Sequence, residues 1–270
     1  MALEHVEIEG LRIAYQRAGG GPPLVFLHGF VGDSREWRRQ IGELSDAFTV
    51  VAWDAPGSGG SEDPPESFRM PDYADRLAGF IDVLGLDRPH VVGLSFGGAL
   101  ALELYRRHPA IPRTLVLVAA YAGWAGSLPP GVAASRLQLS LELAARPPDE
   151  FVQAMTPTLF SASAPAETMK GFAAIMSELH PAGFPAMARA LAEADLREVL
   201  PRIDVPTLLV YGDQDVRAPL SVAEDLRAAI PTSRLVVLPG VGHMVNVEAP
   251  ERLTAELRAF VSSVADRSAR

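Results

Sequence analysis

The chain has 270 residues, of which 48% are apolar and 21% charged, and its formal net charge is −9. This acidic balance argues against nucleic acid or an anionic membrane as the main partner, and the absence of cysteine excludes disulfides, thiolate chemistry and cysteine-ligated metal centres. Because there is no signal-peptide pattern and no apolar run near the roughly 20 residues of a membrane span, we expect a cytoplasmic protein.

Apolar runs alternate with amphipathic stretches along most of the chain. Residues 5–16 alternate polar and apolar side chains around a glycine, which predicts an opening antiparallel hairpin. Further strands are predicted at 23–29, 48–54, 90–95, 113–120, 205–213 and 234–240, and helices at about 34–44, 71–84, after 95, 221–230 and 250–265. Wholly apolar strands separated by helices predict an α/β protein with a mostly parallel sheet of eight strands, flanked by helices.

This alternation stops at Tyr121 and resumes only after Ala194. The segment 122–194 contains Pro-punctuated helical pieces and no convincing strand. We therefore predict a core formed by residues 1–121 and 195–270, interrupted by an all-helical cap at 122–194. The alternative is that these helices pack as ordinary core helices.

The stretch Gly93-Leu94-Ser95-Phe96-Gly97 joins a predicted strand to a predicted helix and has the G-x-S-x-G pattern of a nucleophile elbow. A turn this tight crowds the positions two residues before and after its centre, so glycines there avoid steric clashes. The Ser95 hydroxyl would then face a helix N-terminus, which favours developing negative charge. The alternative is a plain strand-to-helix turn in which Ser95 is only a helix cap.

A serine nucleophile needs a general base that is oriented by a carboxylate. Of the six histidines, His243 lies in a glycine-containing loop directly after the last predicted strand, at the sheet edge where α/β active sites form. The acid is expected between serine and histidine in the chain. Asp213 and Asp215 both follow the strand at 205–213, and Asp215 is favoured because it lies further past the turn, whereas Asp213 is expected to bond to backbone N–H groups locally.

A tetrahedral oxyanion needs two convergent backbone N–H donors. Phe96, the residue after the serine, is expected to supply one. Phe30, in the loop after the strand at 23–29, is expected to supply the other. In this loop His28 is expected to hold the backbone, and His28 and Gly29 are expected to border the substrate.

Five pieces of the chain together resemble the α/β-hydrolase superfamily. They are "LHGF" (27–30), "WDAPGSGGSE" (53–62), "GLSFGG" (93–98), "VPTLLVYGDQD" (205–215) and "PGVGHMVNVEAPE" (239–251). The resemblance implies the α/β-hydrolase fold, with the insertion at 122–194 where this superfamily places its helical cap. Serine at the elbow disfavours the dehalogenase-like and epoxide-hydrolase-like members, which carry aspartate there. Met244 after the histidine disfavours ring-cleavage C–C hydrolases, which usually show tryptophan, and esterase- and lactonase-like members fit the tail best.

We therefore expect a serine hydrolase that cleaves a carboxylic ester or lactone of a small apolar or aromatic substrate, as a monomer or homodimer without metal or organic cofactor. Met244 and the cap residue Trp124 are expected to touch the substrate. Apolar cap residues expected to roof the pocket are Trp124, Leu128, Leu139, Phe151, Met155, Phe160, Phe172 and Met176. The alternatives are a C–C hydrolase, metal-free perhydrolase or lyase on the same three residues, or a hydrolase-like receptor with little turnover.

Overall fold

The computed structural model describes residues 2–268 and is built around one eight-stranded sheet. Its strands are β1 (Glu4–Ile8), β2 (Leu11–Ala18), β3 (Pro23–Leu27), β4 (Thr49–Trp53), β5 (His90–Leu94), β6 (Thr114–Val118), β7 (Thr207–Gly212) and β8 (Ser233–Leu238). Across the sheet they run in the order β1-β2-β4-β3-β5-β6-β7-β8. The pairs β1–β2 and β2–β4 are antiparallel and the other five are parallel, which confirms the predicted mostly parallel sheet.

The antiparallel hairpin that opens the chain closes through a two-residue turn. Glu9 and Gly10 have φ angles of 46° and 82°, and Ile8 pairs with Leu11. Positive φ at both turn positions matches the right-handed twist of the flanking strands, and Gly10 adopts it without steric cost. The hairpin predicted from the alternation is therefore confirmed.

Helices cover the sheet and fill the long connection between β6 and β7. They are α1 (Arg38–Leu44), α2 (Met70–Val83), α3 (Phe96–Arg107), α4 (Trp124–Ser127), α5 (Pro130–Ala144), α6 (Pro148–Leu159), α7 (Ala166–Met176), α8 (Gly183–Glu193), α9 (Leu220–Ala229), α10 (Val245–Glu248) and α11 (Pro250–Ser268). Short 3-10 helices span Ser34–Trp37 and Leu200–Arg202. Every residue of β4, β5, β6 and β7 is buried, as expected for parallel strands with helices on both faces.

The connection between β6 and β7 leaves the sheet and returns to it at nearly the same point. The Leu196 N–H donates to the Ala122 carbonyl at 2.9 Å, and the Gly126 N–H donates to the Ala194 carbonyl at 3.3 Å. The described residues between these points form helices α4 to α8 and no strand. The division into a core and a cap at 122–194 stays a prediction, and the helical content of the segment is consistent with it.

The loops that carry the predicted site all leave the same edge of the sheet. In the parallel register Leu27 pairs with Gly93, and Gly212 pairs with Leu238, so β3 and β5 end together, as do β7 and β8, with β6 between the two pairs. The chain moves from β3 outward to β4 and then back to β5 on the other side of β3. Such a reversal opens a crevice at the carboxyl ends of the two strands, where α/β proteins bind ligands. Among the described residues, no helix combines the length and the apolar character needed to cross a bilayer.

Candidate active site

Ser95 occupies a sharp turn between β5 and α3. Its φ and ψ angles are 52° and −106°, a region that L-residues rarely adopt and that stores strain of about 1–3 kcal/mol. Its side chain makes no capping hydrogen bond to α3, so the alternative of a plain helix-capping serine has no support in the geometry. The tight packing of the residues around the turn maintains this strained backbone conformation.

The glycines on both sides of Ser95 are required by backbone contacts. A Cβ atom on Gly93 would overlap the backbone of Gly97, and one on Gly97 would overlap the carbonyl groups of Leu27 and His28. A Cβ on Gly98 would overlap the Ala120 side chain. The elbow is thus wedged against the end of β3, and this contact brings the loop at 28–30 beside Ser95.

His243 and Asp215 form a buried pair. The Nδ1 atom of His243 lies 2.8 Å from Oδ2 of Asp215, and both side chains are almost fully shielded from solvent. The other carboxylate oxygen, Oδ1, accepts the backbone N–H groups of Arg217 at 2.8 Å and Ala218 at 2.9 Å. With Nδ1–H donating to Asp215, the neutral imidazole carries no proton on Nε2, which is the state a general base requires.

Asp213, the alternative acid, lies in a different environment. It is exposed, and its Oδ1 accepts the backbone N–H of Gly240 at 2.7 Å. Asp213 thus joins the turn after β7 to the turn after β8. The structure brings Asp215, and not Asp213, to His243.

The loop that carries His243 is held by the end of α6. The backbone N–H groups of His243 and Met244 both donate to the Leu159 carbonyl, at 2.8 and 3.1 Å. Glu248 accepts the N–H groups of Gly242 and Ser161, each at 3.1 Å, and also the Ser161 hydroxyl. Helix α6 belongs to the predicted cap, so the cap segment itself positions the candidate base. Sequence reasoning missed the contacts of Leu159 and Ser161 with this loop, because they join residues more than 80 positions apart.

The loop with the predicted oxyanion donor is fixed on both sides by side chains. His28 Nε2 accepts the Ala55 N–H at 2.9 Å, so Nδ1 carries the proton and donates to the Gly29 carbonyl at 2.7 Å. The two ring nitrogens are therefore used to hold the backbone. Phe30 and Phe96 are buried, and among residues 2–268 their N–H groups have no hydrogen-bond partner, as the predicted oxyanion hole requires.

A buried glutamate lies directly behind this loop. Glu36 Oε1 accepts the Gly29 N–H and the Asn246 side-chain amide, both at 3.2 Å, and Asn246 comes three residues after His243. Glu36 Oε2 and Asn246 Oδ1 are buried with no hydrogen-bond partner among the described residues. Desolvation raises the pKa of Glu36 well above its ordinary value, although the hydrogen bonds from Gly29 and Asn246 oppose this. Glu36 thus links the oxyanion loop to the histidine loop, and its burial favours the protonated form.

The raised pKa of Glu36 predicts a pH-dependent stability. Because the folded state favours the protonated form, the stability contributed by neutral Glu36 is complete below the unfolded pKa and is lost as pH rises through the folded pKa. In Glu36→Gln the side chain cannot ionise, and its carbonyl oxygen still accepts the Gly29 N–H. We expect the free energy of unfolding of the variant, relative to wild type, to rise with pH above about pH 4.5, the ordinary pKa of glutamate, in urea denaturation.

The control for this experiment is Glu43→Gln, since Glu43 is exposed on α1. Its free energy of unfolding relative to wild type should stay nearly constant with pH. Parallel pH profiles for wild type and Glu36→Gln would contradict the assignment of Glu36 as the group that titrates.

Aromatic side chains close the site from the side of α4 to α8. The Phe30 ring stacks on Phe184 with centroids 4.7 Å apart and meets the Trp124 ring edge-on at 6.0 Å. Phe151 packs edge-on against Phe184 at 5.4 Å. Ser95 is only 5% exposed under this cover. Phe184 was not among the predicted roof residues, because its helix shows no feature that marks the face toward Phe30.

Met244, predicted to touch the substrate, and the residues predicted to roof the pocket differ in how exposed they are. Met244 is buried beside His243, and Phe151, Met155, Phe160, Phe172 and Met176 are buried in the helical segment. Leu128 is half-buried. Leu139 is 53% exposed on α5, so its predicted place in the roof is wrong: the helix turns this position to solvent.

Comparison with known proteins agrees with this architecture. A profile of the alpha/beta hydrolase fold family matches residues 22–250. The chain therefore belongs to the α/β-hydrolase family, as its elbow and strand order already indicated.

Three similar proteins show the range of activities in this family. A relative from Cronobacter turicensis, named "Putative carbamate hydrolase RutD", is 30% identical over 94% of this chain and 96% of its own length. A thermophilic esterase from Thermogutta terrifontis, solved with malate bound, has a TM-score of 0.90 and 29% identity, covering 97% of this chain and 99% of its own. The enol-lactonase from Burkholderia xenovorans has a TM-score of 0.88 and covers 96% of this chain and 100% of its own; at 24% identity it is similar in fold.

Proposed function

We propose that this protein is a serine hydrolase that cleaves a carboxylic ester or lactone of a small substrate through an acyl-enzyme on Ser95. The observation that carries the proposal is the buried His243–Asp215 pair, 2.8 Å apart, at the same sheet edge as a strained serine elbow. The similarity to the Thermogutta esterase supports ester chemistry. We further propose that the protein acts in the cytoplasm.

In the proposed cycle, His243 Nε2 takes the proton of the Ser95 hydroxyl while Oγ attacks the carbonyl carbon. The resulting oxyanion is held by the N–H groups of Phe30 and Phe96. His243 then gives its proton to the leaving alkoxide, and the ester C–O bond breaks to leave an acyl group on Ser95. A water molecule, deprotonated by His243, attacks this acyl group; the bond to Ser95 Oγ then breaks, and His243 returns its proton to that oxygen as the acid leaves. Asp215 orients the imidazole and stabilises its protonated form through both halves of the cycle.

The test follows p-nitrophenyl acetate hydrolysis together with intact-protein mass. We expect many turnovers per protein, and an acetyl group mapped to the peptide containing Ser95 in acid-quenched samples. Turnover with no acyl group on Ser95, or with the acyl group on another residue, would reject the mechanism. A single slow acylation without further turnover would instead favour the ligand-receptor alternative.

Carbamate hydrolysis is a second candidate, favoured by the name of the Cronobacter relative. A carbamate carbonyl meets the same nucleophile and oxyanion donors, so the two activities differ only in which acyl group is transferred. Comparing kcat/KM for p-nitrophenyl acetate and p-nitrophenyl N-methylcarbamate decides between them. A higher value for the carbamate would replace the ester proposal.

A further inference from the structure

Arg217 places a cation beside the candidate catalytic residues. It is half-buried in the loop after β7, two residues past Asp215, and its backbone N–H donates to that carboxylate. Its Nη1 donates to the Thr158 hydroxyl at 3.1 Å, and its guanidinium carbon lies 6.0 Å from the centre of the Phe30 ring. The side chain thus spans from the end of α6 to the oxyanion loop.

Arg136 reaches the same region from α5. Its Nη1 donates to the Tyr121 hydroxyl at 3.0 Å and to the Arg217 carbonyl at 3.2 Å. Its guanidinium carbon lies 5.9 Å from the Tyr121 ring centre and 5.4 Å from that of Trp124. The Tyr121 ring centre is in turn 6.4 Å from that of His243. Two guanidinium groups therefore lie at the candidate active site.

Among residues 2–264, whose side chains the structure describes, Arg136 and Arg217 form no ion pair with a carboxylate, whereas most other partly buried arginines do. The paired ones include Arg35 with Asp33, Arg69 with Glu193, Arg76 with Glu9 and Arg106 with Glu103. A half-buried cation without a counterion is unfavourable, and an anion bound between Arg136 and Arg217 would supply the missing negative charge.

The lowered pKa of Arg217 is consistent with the lack of a counterion. Desolvation lowers its pKa, and the charge of Arg136 lowers it further, while Tyr121 and Asp215 oppose the shift. Asp215 is the acidic residue close enough to act on Arg217, and both of its oxygens are occupied by His243 and backbone N–H groups. The positive charges of Arg136 and Arg217 thus have only Asp215 near them, and both oxygens of that carboxylate already accept hydrogen bonds.

The N–H groups of Arg217 and the hydroxyl of Tyr121 that remain available are suited to binding a carboxylate. A guanidinium has five N–H groups, of which Arg217 uses one on Thr158. The Tyr121 oxygen accepts from Arg136, and burial raises the pKa of Tyr121 to about 12, so its hydroxyl keeps its proton and can donate it. We propose that Arg217, with Arg136 and Tyr121, binds a carboxylate on the substrate, so that the preferred substrates are carboxylate-bearing esters or lactones.

This inference rests on the proposed function and narrows it to a substrate class. Its test compares esters that differ only at the end of the acyl chain: monoethyl succinate with ethyl butyrate, and monoethyl glutarate with ethyl valerate. Within each pair a carboxylate replaces a methyl group. We expect kcat/KM, measured by ethanol release, to be about 10- to 100-fold higher for the better of the two carboxylate esters than for its neutral partner.

The arginine variants show whether Arg217 and Arg136 cause this preference. Arg217→Gln and Arg136→Gln should each lower the carboxylate-to-neutral ratio by about tenfold or more, and Arg217→Lys should lower it less, because lysine keeps the charge and loses the planar fork. Arg227→Gln is the matched control, since Arg227 is exposed on α9. A wild-type ratio at or below one for both pairs, or an unchanged ratio in Arg217→Gln, would overturn the inference.

A binding measurement separates this inference from the proposed function. Glutarate dianion should raise the Tm of wild type and raise that of Arg217→Gln by less than half as much. If the wild type hydrolyses none of these esters, the proposed function is rejected, while the Tm shifts with glutarate still test the anion site. Conversely, ester turnover without any glutarate effect or carboxylate preference would leave the hydrolase proposal standing and reject the anion site.

Discussion

Replacing Ser95 by alanine is expected to lower kcat for p-nitrophenyl acetate by about three orders of magnitude or more. The change removes the one atom that the proposed mechanism needs for the covalent step, and it leaves the His243–Asp215 pair and the oxyanion donors in place. Residual activity should then come from the oxyanion hole and general base alone. Steady-state initial rates with wild type and variant measure the effect.

Two controls accompany Ser95→Ala, and the first uses the strained backbone of the elbow. Ser95→Gly also lacks the hydroxyl and should be as inactive as Ser95→Ala, but glycine adopts a φ of 52° without strain. We expect Ser95→Gly to be more stable than Ser95→Ala by about 1 kcal/mol in urea denaturation. Ser221→Ala, on the exposed start of α9, should keep full activity. Activity in either Ser95 variant close to that of wild type would reject Ser95 as the nucleophile.

Changing Asp215 to asparagine is expected to lower kcat by about four orders of magnitude. Asparagine has nearly the same shape, so the N–H groups of Arg217 and Ala218 keep an acceptor. Its amide can present an N–H to His243 Nδ1, however, which favours the tautomer with the proton on Nε2. An imidazole in that tautomer cannot take the proton of Ser95. The Asp215→Asn variant also lacks the negative charge that stabilises the imidazolium.

The matched control for this change is Asp213→Asn, two residues earlier in the same loop. Asp213 is exposed and accepts a hydrogen bond from the Gly240 N–H, which the side-chain oxygen of asparagine can also accept. Its kcat should stay within about twofold of wild type, since exposed substitutions of this kind usually have small effects. Equal losses in the two variants would show that the acid has been misassigned or that the loop has moved.

Much of the architecture could be predicted because its causes are local. Apolar runs of strand length, helical periodicity and turn glycines are short-range features, and they were enough to predict the hairpin, the mostly parallel sheet and the run of helices at 122–194. The elbow was equally visible, since a serine between glycines at a strand-to-helix junction is typical of a presented nucleophile. His243 and Asp215 followed from position, because both come directly after parallel strands whose carboxyl ends share one edge.

Other features depend on contacts between distant parts of the chain. The Glu36–Asn246 contact joins residues 210 positions apart, and Arg136 meets Arg217 across 81 positions. Neither residue type nor local spacing indicates that Glu36 is buried or that Arg217 forms no ion pair with the acidic side chains that the structure describes. Leu139 shows the same limit: its chemistry suggested the roof, and the rotation of α5 turned it to solvent.

The sequence by itself determined the fold class, the elbow and the order of serine, aspartate and histidine, because steric and hydrophobic rules act over a few residues. The tertiary structure decided which carboxylate meets the histidine, what holds the oxyanion loop and which cations remain unpaired. Those properties depend on desolvation and on distances of a few ångströms, and both arise only when separate segments of the chain pack together.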